Sequence, residues 1–88
     1  MSAIQKLIDE TLSYAVEAAQ ESDTDMAKLY MEDWKEFNDI SYFISAGYTR
    51  AAGERIEVMD TLPREQFVVA VQKDYGDQMI SKLGFELA

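Results

Sequence analysis

The 88-residue chain has room for one domain, and its 48% hydrophobic and 11% aromatic content suits a packed core rather than disorder. Eight Lys and Arg against 17 Asp and Glu leave a net charge of −9, which disfavours direct binding to nucleic acid or to an anionic membrane surface and suits a basic protein partner. With no Cys and no His, disulfides, thiolate chemistry, zinc-thiolate sites and His-based catalytic triads are excluded.

The first predicted element is an amphipathic helix over residues 3–21. Ile4, Leu7, Ile8, Thr11, Leu12, Ala15, Val16 and Ala19 fall at helical spacing, while Lys6, Glu10, Ser13, Glu17 and Glu21 take the other side. Ser2 with Gln5 three residues later reads as a capping box. Ser22, Asp23 and Thr24 offer caps for a second helix over 24–46, whose apolar row runs through Met26, Leu29, Tyr30, Trp34, Phe37, Ile40, Ser41 and Ile44. Gly47 marks a break before a short third helix over 49–60, although the helical phase of Tyr48, Ala51, Ala52, Ile56 and Met59 also fits one kinked helix. Gly53 in its interior costs about 1 kcal/mol relative to Ala.

Pro63 opens a last helix over 63–83 with Phe67, Val68, Val71, Tyr75, Met79 and Leu83 as its buried row. Gly84 ends it, and Phe85 is placed to fold back on the last turn. The expected architecture is all-α, a single small bundle of three or four helices. No apolar run approaches the roughly 20 residues of a membrane span, and the N-terminus lacks the features of a signal peptide. The expected compartment is the cytoplasm, that of the host if the chain is phage-encoded.

The negative charge is concentrated in the first half. Residues 1–47 hold ten acids and three bases, a net −7, and the remainder nets −2. Glu10, Glu17, Glu21, Glu32, Asp33, Glu36 and Asp39 therefore form a candidate partner-binding surface. Neighbouring acids on a helix face stand about 5–6 Å apart at Cβ, close to phosphate spacing along a nucleic-acid strand. This suggests a non-enzymatic acidic protein of the phage anti-host or anti-defence kind, one that occupies the basic nucleic-acid-binding surface of its partner. The plainer alternative is a solvated acidic face. Tyr42 and Phe43 cannot both face the same core as Phe37 and Ile44, so one of them is a candidate for a dimer or partner interface, and with Tyr48 they are the aromatic residues expected at the interface of a homo-oligomer, a dimer favoured.

Glu36 and Asp39, at i and i+3, share a helix face and could hold Mg²⁺. The stretch Glu36-Phe37-Asn38-Asp39 followed by Ile40-Ser41-Tyr42-Phe43-Ile44 resembles the second metal-binding helix of the MazG-like all-α nucleoside triphosphate pyrophosphohydrolases. Gln78-Met79-Ile80-Ser81-Lys82-Leu83-Gly84 is similar to that family's closing segment. The resemblance covers about half of the chain. It implies a Mg²⁺-dependent hydrolase or a degenerate nucleotide-binding relative, with Glu36 and Asp39 as metal ligands, Glu10 or Glu17 as partial partners and Lys82 on a phosphate. The family's first Glu-x-x-Glu pair is not intact, since Ser13 follows Glu10 and Gln20 follows Glu17 at that spacing. On the direct reading of the residues no cofactor is expected.

Overall fold

The computed structural model describes residues 2–84. Among them the chain is all-helical, with α1 Ala3–Gln20, α2 Thr24–Ser45, α3 Thr49–Glu57, α4 Thr61–Tyr75 and α5 Asp77–Leu83. The fifth helix corrects the expected three or four. Residues 63–83 are not one helix, because Gly76 adopts φ 83°, ψ −179°, a region open essentially to glycine alone. The chain turns there, so Tyr75 lies exposed and Ile80, absent from the expected row, enters the core. The other boundaries follow from local chemistry. At the end of α1 the Ser22 and Asp23 amides donate to the Ala19 and Ala18 carbonyls. At the end of α2 the Gly47 and Tyr48 amides bond in the same way to Ile44 and Phe43, so residues 24–60 form two helices and not one. Both are Schellman closures, with Ser22 (φ 62°) and Gly47 (φ 86°) in the left-handed position.

Caps fix the helix starts. The Gln5 amide donates to Ser2 Oγ at 3.0 Å. The Gln5 side chain turns instead to Asp9, so only half of the anticipated capping box forms. Asp23 is the cap that α2 uses, accepting from the Met26 amide. A tertiary cap supplements Ser2: the Asp74 carboxylate, at the end of α4, accepts the Ala3 and Ile4 amides at 2.7 and 2.9 Å. That bond places the start of α1 against the end of α4 and makes the two helices antiparallel. Gly84 ends α5 in the left-handed conformation, and Phe85 lies outside the described residues.

One hydrophobic core draws on all five helices, with Ile4 and Ile8 from α1, Phe37, Ile40 and Ile44 from α2, and Ile56, Phe67, Val71, Ile80 and Leu83 from the rest. The rings of Phe37 and Phe67 stack at 5.4 Å, both almost fully buried. The core does not extend the length of the first two helices. In α2 no residue before Phe37 is buried, and beyond Thr11 the only buried residues of α1 are Ala15 and Ala18. Leu12, Val16 and Ala19, expected on the buried row of α1, are exposed, as are Met26 and Leu29 of α2. The upper halves of α1 and α2 thus pack on each other through small residues and project as a two-helix arm. The molecule is elongated accordingly, 41 × 27 × 25 Å.

Gly53 owes its place to packing. A Cβ there would meet the backbone carbonyl of Leu83, so glycine is what lets α5 approach α3. Gly53→Ala is expected to destabilise the fold by about 1–3 kcal/mol, despite alanine's better helix propensity, because backbone must move. An unchanged or raised denaturant midpoint would contradict this. Burial pulls the pKa of Asp74 up, but the Ile4 and Ala3 amides pull it down further, and it ends below the ordinary carboxylate value. Its stabilisation is therefore complete above the unfolded-state pKa and is lost as pH falls through the folded one. Asp74→Asn should cost about 1 kcal/mol at neutral pH, a difference that closes in acid melts as the wild-type carboxylate protonates.

Candidate acidic interaction surface

Where the arm overhangs the rest of the bundle, its inner face is hollow. At the tip, Tyr14, Glu17, Glu21, Asp23 and Tyr30 surround a recess of about 240 Å³. Beneath it a more enclosed hollow of about 210 Å³ shares Tyr14 and Tyr30 and continues past Glu10, Asp33 and Pro63. A third, of about 280 Å³, shares Asp33 and Pro63 and opens between Glu32, Glu36, Arg55 and Asp60. Adjacent hollows share wall residues, so they line up as a trough of three adjoining recesses along the inner side of α1 and α2, floored by the start of α4.

Helix geometry explains why acids line it. On α2, Glu32, Asp33 and Glu36 lie at i, i+1 and i+4 and point to the side where α3 and α4 pack. On α1, Glu10, Glu17 and Glu21 share the side that carries Tyr14. The Tyr14 and Tyr30 rings bridge the two helices with centroids 5.7 Å apart. Six of the seven carboxylates expected to form a partner-binding surface thus border the trough. The seventh, Asp39, lies beside its lower end and contacts Arg55.

Among the described residues Arg55 is the only base on the trough walls, and its charge is already taken. Its Nε and Nη2 donate to the two Glu36 oxygens, both at 2.8 Å, and Nη2 reaches Asp39 Oδ2 at 3.5 Å. The guanidinium also lies 5.7 Å from the centroid of the Phe43 ring. The Glu36 bond raises the already high pKa of Arg55, burial opposing it. This bidentate pair ties α3 to α2. Among the described residues, Glu17, Glu21, Asp23, Glu32, Asp33 and Asp60 make no ion pair. Burial raises the Asp33 pKa, and repulsion from Asp60 and Glu32 adds to the rise.

The residues implied as a Mg²⁺ site do not come together. Glu36 and Asp39 face Arg55, Glu10 lies between α1 and α4, and Glu17 is at the arm tip. Among the described residues no three carboxylates are grouped closely enough to hold one ion, so this set does not fit a divalent-metal cage. Lys82 is exposed on α5 and makes no ion pair among those residues. Tyr42 and Tyr48 are exposed, while Phe43 is half-buried, with Tyr48 edge-on and Arg55 over its face. Sequence reasoning missed Tyr14, Tyr30, Asp23, Asp60 and Arg55. The tyrosines alone left a trace, each lying on the same side of its helix as neighbouring carboxylates.

Comparisons with protein-family models, with curated proteins and with solved structures find no match to this chain. Among the described residues no helix is long and apolar enough to cross a membrane.

The raised Asp33 pKa means that the folded state holds this proton more tightly than the unfolded state does. Its effect on stability is neutral below the unfolded carboxylate pKa and becomes unfavourable as pH rises through the folded one. Asp33→Asn is therefore expected to raise the melting temperature at pH 7 and to leave it unchanged near the acid end, at about pH 3. A variant less stable than wild type at neutral pH would show that the Asp33 charge is compensated.

Proposed function

We propose that the chain is a non-enzymatic interaction protein whose acidic trough receives a basic segment of a partner protein. The observation behind this reading is the row of adjoining recesses, along which carboxylates without an ion pair among the described residues alternate with Tyr14 and Tyr30. Carboxylates draw a cationic partner and set its register, and tyrosines supply contact area at low entropic cost. The concave shape suits a projecting Lys- or Arg-rich helix or arm better than a flat surface. Proteins often grip a phosphate backbone with such segments, so occupation by this chain would block nucleic-acid binding by the partner. That is the action of an inhibitor of the anti-host or anti-defence kind.

The Mg²⁺-dependent pyrophosphohydrolase reading has less behind it, because Arg55 engages the two carboxylates that such chemistry needs.

Charge reversal tests the proposal best away from Arg55. Glu36→Lys would break the α2–α3 tie as well as the surface, whereas Glu17 and Glu32 make no ion pair among the described residues. Immobilised wild-type chain is expected to retain a basic, nucleic-acid-binding protein from host extract at low salt, to release it as salt rises, and to lose it to competing duplex DNA or RNA. The double variant Glu17→Lys, Glu32→Lys should bind that partner about tenfold more weakly or worse, with unchanged circular dichroism. Retention indifferent to both salt and charge reversal would remove the trough from the mechanism.

A further inference from the structure

Adjoining the trough, and sharing Leu7, Glu10, Leu62 and Gln66 with its middle hollow, a groove of about 460 Å³ runs between α1 and α4. Its centre is apolar, with Leu7 and Ala70 on the floor and Leu62 and Val69 on the wall, the last two 67% and 49% exposed. Its charges are ordered. Since Asp74 holds the end of α4 against the start of α1, Lys73 and Lys6 stand near one end of the groove, and Glu65 and Glu10 near the other. None of the four makes an ion pair among the described residues. In a chain of net charge −9, this patch is balanced, two bases against two acids.

We infer that the groove is a self-association surface whose occupant is a second copy of this chain, related by a two-fold axis running across α1 and α4. Such an axis reverses the direction of the groove, so the basic end of one copy meets the acidic end of the other. Lys73 then faces Glu65 of the second copy, and Lys6 faces its Glu10. The register supports this. Glu65 and Lys73 are eight residues apart, and their midpoint is Val69. Lys6 and Glu10 have their midpoint at residue 8, which the antiparallel packing places level with residue 69, given that residues 3 and 4 meet residue 74. Both charge pairs are thus centred on one level, and Val69 meets its own equivalent at the axis, as an isologous interface requires. A two-fold axis parallel to the helices would instead set lysine against lysine and glutamate against glutamate. Charge complementarity of this kind fixes register and rejects the alternative arrangement. Glu10 borders both the groove and the trough, but Glu65 and Lys73 line the groove alone, so the charge pair they make is independent of what the acidic trough binds.

The test is a charge swap read by sedimentation equilibrium or light scattering at physiological salt, with circular dichroism as the folding control. Wild type is expected at twice the 10.0 kDa chain mass in the high-micromolar to millimolar range. Lys73→Glu and Glu65→Lys should each weaken dimerisation by about tenfold or more, because each sets like charges opposite one another twice per dimer. Combining the two substitutions in one chain should restore the dimer, since the pair is only reversed. Mixing the two single variants should also restore it, as a heterodimer of one acidic and one basic α4. A wild type that stays monomeric throughout overturns the inference. So do single variants that dimerise as wild type does, or a double variant that fails to recover.

Discussion

The stack of Phe37 on Phe67 is the contact from which the rest of the molecule follows. It joins the α1–α2 pair to the helices beneath, and removing either ring would cost about 3–5 kcal/mol, a large share of the stability of so small a domain. The core surrounds that stack and stops at it. Beyond Phe37 toward the start of α2, no residue of that helix is buried, α1 buries only Ala15 and Ala18, and the start of α4 borders the pair only as far as Tyr14 and Tyr30. The arm, the overhang and the trough under it all result from a short core beneath a long helix pair. A 22-residue helix is about 33 Å long.

Electrostatics divides along the same line. At the lower end of the trough, Arg55 pairs with Glu36, reaches Asp39 and clamps α3 to α2, leaving that group with one net negative charge. Further up, carboxylates stand near one another without compensation. The pKa of half-buried Asp33 is raised first by that burial and then by repulsion from Asp60 and Glu32. Repulsion held in a surface in this way opposes folding, and a cationic partner would relieve it on binding. The same acidity makes the balanced groove on α1 and α4 stand out, because two chains of net charge −9 can approach most easily where their charges alternate.

Glycine has three different structural roles here, and the sequence shows them unequally. Gly47 closes a helix, as its position after the last apolar residue of α2 suggested. Gly76 sits within an unbroken helical period from Phe67 to Leu83, and periodicity passes straight over it. Gly53 looks like a weak point in α3, yet it is the contact with Leu83 that sets the distance between α3 and α5. Local pattern reports what a residue does to its own helix. It carries no information on what approaches from outside.

Composition and spacing by themselves determined that the chain is helical, that α1 and α2 begin at capped residues, that acids cluster in the first half, and that Phe37, Ile40 and Ile44 face inward. Each of these depends on residues within a turn or two of one another. Tertiary structure alone decided that Leu12 and Val16 face solvent, that Asp74 caps a helix 70 residues away, and that Arg55 reaches both Glu36 and Asp39. It also gathered acids from α1, α2 and the α3–α4 turn into one trough. Amphipathic spacing specifies a buried face per turn, but where the core stops, and which charges meet across helices, depends on which elements stack and on how far they reach.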